Sequence, residues 1–184
     1  VPVQSLEKSA HKTPVSLFEE AVTAANKAVF EESASHVEYE GMGTTVVACT
    51  LEENTLYIAN IGDSRLYLIR DGIEQITDDH SLVEEMVKQG NITESEARIH
   101  PQKNIITRAL GINEEVQADF FEIDVEQGDV IMLCSDGLSN MIEDEDMEYI
   151  VKNSDTLQTA AESLVARANE NGGNDNITVV LAEV

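Results

Sequence analysis

Tryptophan is absent from this 184-residue sequence, and aromatic residues together make up only 4% of it. The core must therefore consist mainly of Val, Ile, Leu and Ala. Hydrophobic residues amount to 42% of the chain, which is enough to build a packed core and too much for a disordered protein. The length fits one domain of ordinary size. We therefore expect a single domain over residues 1–184 with an aliphatic core.

Basic residues are scarce, with 11 Lys and Arg against 36 Asp and Glu and a formal net charge of −25. Such a surface repels phosphate backbones and anionic lipids, which excludes nucleic acids and membrane surfaces as partners. The sequence shows no apolar run long enough to span a membrane and no signal-peptide pattern. The only cysteines, Cys49 and Cys134, lie in apolar runs typical of reduced, buried thiols. These features predict a cytoplasmic protein.

Several catalytic motifs are missing. The sequence has no Walker loop and no GxSxG elbow, and Gly41-Met42-Gly43 lacks the third glycine of a dinucleotide-binding loop. The acidic cluster Asp144-Glu145-Asp146 lacks the glycine and distal glutamate of a calcium loop, and it favours a helix start instead. A zinc site is excluded by the spacing of the four histidines, which are His11, His36, His80 and His100.

The hydrophobic pattern predicts strands mixed with amphipathic helices, which indicates the α+β class. Because several strands are apolar on both faces, we expect two packed antiparallel sheets flanked by helices. Residues 1–13 read as a tail, and Ser16 with Glu19 predicts the start of the first helix. Predicted strands cover residues 44–50, 56–61, 65–70, 74–76, 119–123, 130–134 and 177–184. The first helix has an apolar face up to residue 29 and is followed by a predicted loop at 33–43. Further predicted helices cover 82–89, 95–100, 145–151 and 156–170. The first four strands read as a meander with a hairpin turn at Asp71-Gly72, and the last reads as a central strand.

Two aspartates stand at the ends of predicted strands. Asp136 follows the apolar strand 130–134, and Asp175 precedes the last strand. Carboxylates held by adjacent strands can converge on one hard divalent cation, which prefers oxygen ligands. Either aspartate alone is more simply explained as a turn residue. The residues by themselves therefore leave a cation site and two structural turns as alternatives.

Six segments, taken in order, resemble motifs of the protein phosphatase 2C family in its bacterial form. Each segment is weakly informative alone, but the ordered series covers residues 41–178 and is specific. The segments are Gly41-Met42-Gly43-Thr44-Thr45, Asn60-Ile61-Gly62-Asp63-Ser64-Arg65, Thr77-Asp78-Asp79-His80-Ser81, His100-Pro101 with Thr107-Arg108-Ala109-Leu110-Gly111, Cys134-Ser135-Asp136-Gly137-Leu138 and Gly173-Asn174-Asp175-Asn176-Ile177-Thr178.

The resemblance implies an αββα sandwich with a centre of two Mg²⁺ or Mn²⁺ ions, or three in a complete domain. Asp136 and Asp175 match the family's metal ligands, and Asp79 matches an aspartate that helps to hold a third, weaker ion. Residues 62–65 and 107–108 match segments expected to shape turns beside the site. Residues 80–104 match a mobile flap that influences substrate access.

The implied reaction is hydrolysis of phosphoserine and phosphothreonine on proteins that a serine/threonine kinase phosphorylates. Paired cations activate a water molecule, so no protein nucleophile is required. The family's N-terminal motifs, with a phosphate-binding arginine and two further aspartates, have no counterpart in these residues. Because the chain begins with Val1, we expect a partial catalytic domain that is weak or inactive alone.

Two other interpretations remain. The fold could serve as a non-catalytic module that only binds phosphoproteins, but the presence of Asp79, Asp136 and Asp175 favours an enzyme. A sporulation-type phosphatase would share the fold, and the flap-like segment argues against it.

Overall fold

A computed structural model describes residues 12–184 of the protein. The predicted tail therefore lies outside the described residues, except for Lys12 and Thr13. The helices are α1 (Pro14–Ser35), α2 (Leu82–Lys88), α3 (Glu94–Arg98), α4 (Asp136–Ser139), α5 (Asp144–Lys152) and α6 (Leu157–Glu170), with a 3₁₀ turn at Val37–Tyr39. The strands are β1 (Val46–Glu52), β2 (Thr55–Ile61), β3 (Arg65–Ile69), β4 (Ile73–Gln75), β5 (Asp119–Asp124), β6 (Val130–Cys134) and β7 (Val179–Glu183).

Close contacts group the chain into two compact units. The first unit holds the residues up to Gly62 together with His80–Asp124, and the second holds Asp63–Asp79 together with Val125–Val184. The prediction of a single domain with a flap stays a prediction.

Helix α1 of the first unit begins earlier than its sequence pattern predicted. The side chain of Thr13 accepts a hydrogen bond from the Ser16 amide at 3.3 Å, and Pro14 occupies the first turn, where its missing N–H costs nothing. Thr13 is therefore the N-cap, and the predicted start at Ser16 was wrong. The helix also runs on to Ser35, into the segment 33–43 that was predicted as a loop.

The first unit contains a three-stranded antiparallel sheet in the order β1-β2-β5. The central strand β2 places Ile58 opposite Cys49 on one side and opposite Phe121 on the other. Ile58 and Ile61 are almost completely buried. The capping box of Thr93 and Glu96 at the start of α3 is confirmed. The mobility expected of residues 80–104 stays a prediction.

The second unit contains a four-stranded antiparallel sheet in the order β4-β3-β6-β7. The predicted meander is wrong between β2 and β3, because β2 pairs with β1 and β5 whereas β3 pairs with β4 and β6. Consecutive strands pair only about two-thirds of the time, and short connections do not show which ones do. Among residues 12–184, β7 pairs with β6 alone and lies at the edge of this sheet, although its apolar composition had predicted a central strand.

The core of the second unit is built on β3 and β6 and on the helices that cover them. Its fully buried side chains include Tyr67, Met132, Leu138, Met147 and Leu164. Helices and two antiparallel sheets are thus both present, and the α+β class is confirmed. Within residues 12–184, no helix combines the length and the apolar character that a membrane span requires.

Candidate cation site at one end of the four-stranded sheet

Asp63 and Asp136 lie at the same end of the four-stranded sheet. Arg65 at the start of β3 is the Cα partner of Cys134 at the end of β6. Asp63 precedes Arg65 by two residues and Asp136 follows Cys134 by two residues. Because the strands are antiparallel, continuing both of them past this pair brings the two aspartates to one edge of the sheet.

The segment that carries Asp175 is bonded to the segment that carries Asp136. The Ser135 amide donates to the Thr178 carbonyl oxygen at 3.1 Å, and the Ser135 hydroxyl donates to the Asn176 carbonyl oxygen at 3.0 Å. A Cβ atom on Gly137 would come within 2.3 Å of that same Asn176 oxygen, so only glycine fits there. These contacts bring the Asp136 and Asp175 segments together, as their positions at strand ends had suggested.

Asp175 itself is exposed. One of its carboxylate oxygens, Oδ1, accepts a hydrogen bond from the Asn176 amide at 2.7 Å, which is the local turn geometry that aspartate favours. Metal ligation by Asp175 stays a prediction.

The sequence analysis did not single out Asp63, because its segment was interpreted as a structural turn. Burial, together with the negative charges of Asp136 and Asp79, raises the pKa of the Asp63 carboxyl to about 6. Mutual repulsion of this kind requires the carboxylates to be close. The position of Asp63 just before a predicted strand was visible in the sequence. It indicates a site residue only if β3 is known to pair with β6.

Asp79 is engaged by Arg65. The guanidinium donates from Nε to Asp79 Oδ1 at 2.9 Å and from Nη2 to Oδ2 at 2.8 Å, and Gln75 Nε2 donates to Oδ1 at 3.2 Å. The Asp79 side chain is only 12% exposed. Ligation of a third ion by Asp79 stays a prediction, and the structure shows this carboxylate in a bidentate ion pair.

The carboxylates fit a hard divalent cation only in part. Among residues 12–184, no group of three or more Asp, Glu, His or Cys side chains is arranged to hold a metal ion. Asp63 and Asp136 nevertheless supply the oxygen donors that Mg²⁺ and Mn²⁺ prefer. A cation between them would relieve the repulsion that raises the pKa of Asp63. Asn140 Nδ2 donates to Asp136 Oδ2 at 3.2 Å and orients this carboxylate from the end of α4.

A second polar network holds the first unit together where two motif segments meet. Arg108 Nη1 donates to Asp119 Oδ1 at 2.6 Å, and the His80 ring contacts Asp119 Oδ2 through Nε2 at 3.0 Å. Burial opposes ionisation of Asp119, but the bonds from His80 and Arg108 outweigh it and hold the pKa of Asp119 below its usual value. The structural role predicted for Arg108 is consistent with these contacts.

Comparison with known proteins identifies the family. Residues 3–182 match the sequence profile of the family described as protein phosphatase 2C, and the chain belongs to this family. A serine/threonine phosphatase, stp, of Listeria monocytogenes is 42% identical over 166 residues, which are 90% of this chain and 66% of the relative. The protein phosphatase PhpP of Streptococcus pneumoniae is 47% identical over 147 residues, which are 79% of this chain and 60% of the relative. The chain thus spans about two-thirds or less of these relatives' length.

Solved structures of bacterial phosphatases match nearly the whole length of the chain. The serine/threonine phosphatase Stp1 from Staphylococcus aureus has a TM-score of 0.91 at 33% identity, covering 100% of this chain and 75% of that one. The Mycobacterium tuberculosis serine/threonine phosphatase PstP/Ppp has a TM-score of 0.92 at 36% identity, covering 100% and 78%. A catalytic domain of PstP in complex with two manganese ions has a TM-score of 0.87 at 34% identity, covering 99% and 78%.

Proposed function

We propose that this protein acts in the hydrolysis of phosphoserine and phosphothreonine on other proteins, with Mg²⁺ or Mn²⁺ as cofactor. The observation that carries the proposal is the pair of carboxylates, Asp63 and Asp136, at one end of the four-stranded sheet. Because relatives in this family are named serine/threonine phosphatases, we expect this pair of carboxylates to bind the cation. Asp175, on the neighbouring segment, is the candidate for a further oxygen ligand.

A divalent cation pair, when bound, lowers the pKa of a water molecule and stabilises the charge on the phosphoryl group during its transfer. The chain's own residues build the place for it. Pairing of β3 with β6 holds Asp63 beside Asp136, and Asn140 orients the Asp136 carboxylate. The bonds of Ser135 keep the Asp175 segment against this edge.

Electrostatics makes the cation necessary for substrate binding. A phosphorylated side chain carries about −1.5 to −2 charges at neutral pH, and this chain carries a formal net charge of −25. Without a cation, the carboxylates would repel the phosphate. The expected substrates are therefore proteins that a serine/threonine kinase has phosphorylated in the cytoplasm. We expect them to bind only when the metal is present.

The activity of the 184-residue chain by itself should be low. A site for two or three ions needs more carboxylates than Asp63 and Asp136, even with Asp175 added. We therefore expect the isolated chain to bind Mn²⁺ and to turn over slowly. The alternative, a non-catalytic module that binds phosphoproteins, predicts peptide binding with no turnover at any Mn²⁺ concentration.

The test combines Mn²⁺ binding by calorimetry with hydrolysis of a phosphothreonine peptide. Asp63→Asn and Asp136→Asn should each weaken Mn²⁺ binding at least about 100-fold, since each removes a charged ligand. Asp155→Asn, an exposed aspartate in the same unit, serves as the matched control and should bind Mn²⁺ like the wild type. The stp phosphatase of L. monocytogenes, assayed in parallel, should exceed the 184-residue chain at least about 100-fold in kcat/KM. Failure of the wild-type chain to bind Mn²⁺ would exclude the proposed site.

A further inference from the structure

We propose that residues 97–113, the acid-free segment, form a docking surface for a part of the phosphoprotein substrate that combines acidic and apolar residues, with Lys103 as the charged contact. The inference rests on the proposed function in taking the partner to be a substrate, whereas the surface itself binds without a metal ion. Its starting point is a local exception to the composition of the chain. Residues 97–113 are the longest stretch of the sequence without Asp or Glu, although the chain holds 36 acidic residues.

Basic side chains are concentrated in the acid-free segment. It contains Arg98, Lys103 and Arg108, out of the 11 Lys and Arg residues of the whole chain, together with His100. The rest of the chain is correspondingly more acidic, so an acidic partner meets repulsion over most of the remaining surface. At physiological ionic strength charges act over about 8 Å. The local charge of the segment therefore decides what can dock on it.

Lys103 is the basic side chain that the protein itself leaves unpaired. Its ammonium group makes no hydrogen bond or ion pair with any of residues 12–184. Every other Lys and Arg in that range has an ion pair or another polar contact. In a chain with 36 acidic and 11 basic residues, an unpaired lysine can take a carboxylate of a partner without first breaking an ion pair of its own.

Exposed isoleucines accompany this charge. Isoleucine is among the residues most often buried in proteins, and Ile99 is nevertheless 83% exposed. A group of exposed aliphatic side chains indicates an interaction surface. Within residues 12–184, all of the exposed isoleucines lie in the acid-free segment, and they are Ile99, Ile105, Ile106 and Ile112.

Backbone hydrogen bonds give the surface a defined shape. The amides of His100, Lys103 and Ile105 each donate to the carbonyl oxygen three residues earlier, at 3.1 Å. Residues 97–105 are therefore folded into successive turns, in which the first and fourth Cα atoms lie less than about 7 Å apart. This folding keeps Lys103 close to both Ile99 and Ile105. One carboxylate and one apolar side chain of a short partner segment can thus be bound together.

The segment is attached to the turn that leads into Asp63. The Thr107 amide donates to the His80 carbonyl oxygen at 2.7 Å, and the His80 amide donates to the Gly62 carbonyl oxygen at 3.0 Å. Gly62 is the residue before Asp63 in the chain. Because backbone hydrogen bonds connect the acid-free segment to this turn, we assign the surface to the substrate and not to an unrelated acidic protein.

Fluorescence anisotropy with the 184-residue chain and a short labelled peptide of glutamate, leucine and serine tests the surface directly. The measurement is made at physiological ionic strength with a chelator present. The unphosphorylated acidic peptide should bind saturably below about 1 mM. A matched peptide with glutamine in place of glutamate should bind at least about fivefold more weakly. No saturable binding of the acidic peptide, or equal binding of the two peptides, overturns the inference.

Variants of the chain locate the binding. Lys103→Glu should weaken binding of the acidic peptide at least about tenfold, and Lys103→Gln should weaken it about three- to fivefold. Ile99→Ser, at an exposed position, should weaken it about three- to fivefold through lost apolar contact. If Lys103→Glu does not fold, Lys103→Gln and Ile99→Ser decide the question in the same assay. Wild-type affinity in these variants overturns the inference.

Lys27→Glu is the matched control. Lys27 is an exposed lysine on α1 of the same unit, and its reversal changes the net charge by the same amount as Lys103→Glu. It should leave the Kd of the acidic peptide within about twofold of the wild type. An effect as large as that of Lys103→Glu would show that net charge alone governs binding, and would overturn the inference.

Hydrolysis separates a failure of this inference from a failure of the proposed function. With saturating Mn²⁺, the wild-type chain should prefer a phosphothreonine peptide with an acidic flank over one with a glutamine flank at least about threefold in kcat/KM, and Lys103→Glu should lose this preference. Hydrolysis of both peptides at equal kcat/KM overturns this inference alone. If neither peptide is hydrolysed, the proposed function fails, and with it the assignment of the partner as a substrate. The anisotropy measurement then decides whether the docking surface exists.

Discussion

Two hydrogen bonds connect His80 to the backbone of Gly62, one through the His80 ring and one through its amide. His80 Nδ1 accepts a hydrogen bond from the Gly62 amide at 3.0 Å, and the His80 amide donates to the Gly62 carbonyl oxygen at 3.0 Å. Because Nδ1 accepts, the ring carries its proton on Nε2, which faces Asp119. Gly62 has a φ of 102°, and a Cβ atom there would come within 2.3 Å of a Thr45 methyl carbon. One histidine thus secures a turn that only glycine can make.

Replacing His80 by alanine should destabilise the protein by about 2–4 kcal/mol. The change leaves the buried Gly62 amide without its acceptor and opens a cavity where a buried ring had been. Urea unfolding followed by circular dichroism measures the loss. His36→Ala removes an exposed histidine of the same unit and should change the free energy of unfolding by less than about 0.5 kcal/mol. Similar losses for the two variants would contradict the role assigned to the His80 ring.

The carboxyl of Asp63 should titrate near pH 6 in the metal-free protein. Burial and the charges of Asp136 and Asp79 raise this pKa, so Asp136→Asn should lower it. Carbon-13 NMR of the Asp63 carboxyl measures the pKa directly. A value near 4 in the wild type, or no decrease in Asp136→Asn, would show that the two carboxylates do not interact.

The same titration has a defined effect on stability. The folded-state pKa lies above the usual aspartate value of about 3.9, so the folded chain holds the proton more tightly than the unfolded one. The contribution of Asp63 to the free energy of unfolding therefore falls as the pH rises from about 4 to about 6. Asp63→Asn should match the wild type below pH 4 and exceed it in stability above pH 6, in the presence of a chelator. An opposite sign above pH 6 would contradict the raised pKa.

Gly137→Ala should disrupt the edge that carries Asp136 and Asp175. The new methyl group would meet the Asn176 carbonyl oxygen at 2.3 Å, and a rigid backbone cannot yield without moving the Asp175 segment. We expect a loss of about 2–3 kcal/mol in the free energy of unfolding. Gly72→Ala is the control, because nothing lies within 4 Å of a Cβ atom at that position. Thermal unfolding of the two variants side by side tests the prediction, which a nearly unchanged Gly137→Ala would contradict.

The Asn26 side chain should contribute far more to the free energy of unfolding than its position on a helix suggests. Its Nδ2 donates to the carbonyl oxygens of Asn113 and Glu114 at 3.0 Å, and its Oδ1 accepts from the Gly111 amide at 2.7 Å. Asn26→Ala should therefore cost about 2–4 kcal/mol, since several polar groups lose their partner. Thr23→Ala, on an exposed part of the same helix, should cost less than about 1 kcal/mol. Chemical denaturation distinguishes the two, and equal costs would contradict a special role for the amide.

The local elements of the fold were predictable because their causes lie within a few residues. The apolar run of β6 was predicted with its observed bounds, Val130–Cys134. The hairpin at Asp71-Gly72 and the capping box of Thr93 with Glu96 also follow from adjacent residues, and both are confirmed. The start of α1 was missed because two caps were available, and Thr13 with Pro14 at the first turn was preferred over Ser16.

The pairing of strands was not predictable, and this limited the prediction of the site. Asp136 could be singled out because it directly follows a buried strand. Asp63 could not, since its proximity to Asp136 depends on the Arg65–Cys134 pair, whose members are far apart in the chain. Asp79 was assigned as a ligand, which stays a prediction, and the bidentate contact that it receives from Arg65 has no signature in the sequence.

The pairing of β3 with β6 also has a consequence for synthesis of the protein. Val130, the partner of Ile69, is made about 60 residues later, and closing a loop of that length costs about 3–4 kcal/mol of chain entropy. At about 5–20 residues per second, the hairpin of β3 and β4 waits about 3–12 s on the ribosome before β6 emerges. During that interval the future core residues Leu66 and Tyr67 lack strand β6, with which both pair in the folded protein. A lower growth temperature and a higher level of chaperones should therefore raise the soluble yield of this chain more than that of a helical protein of equal length.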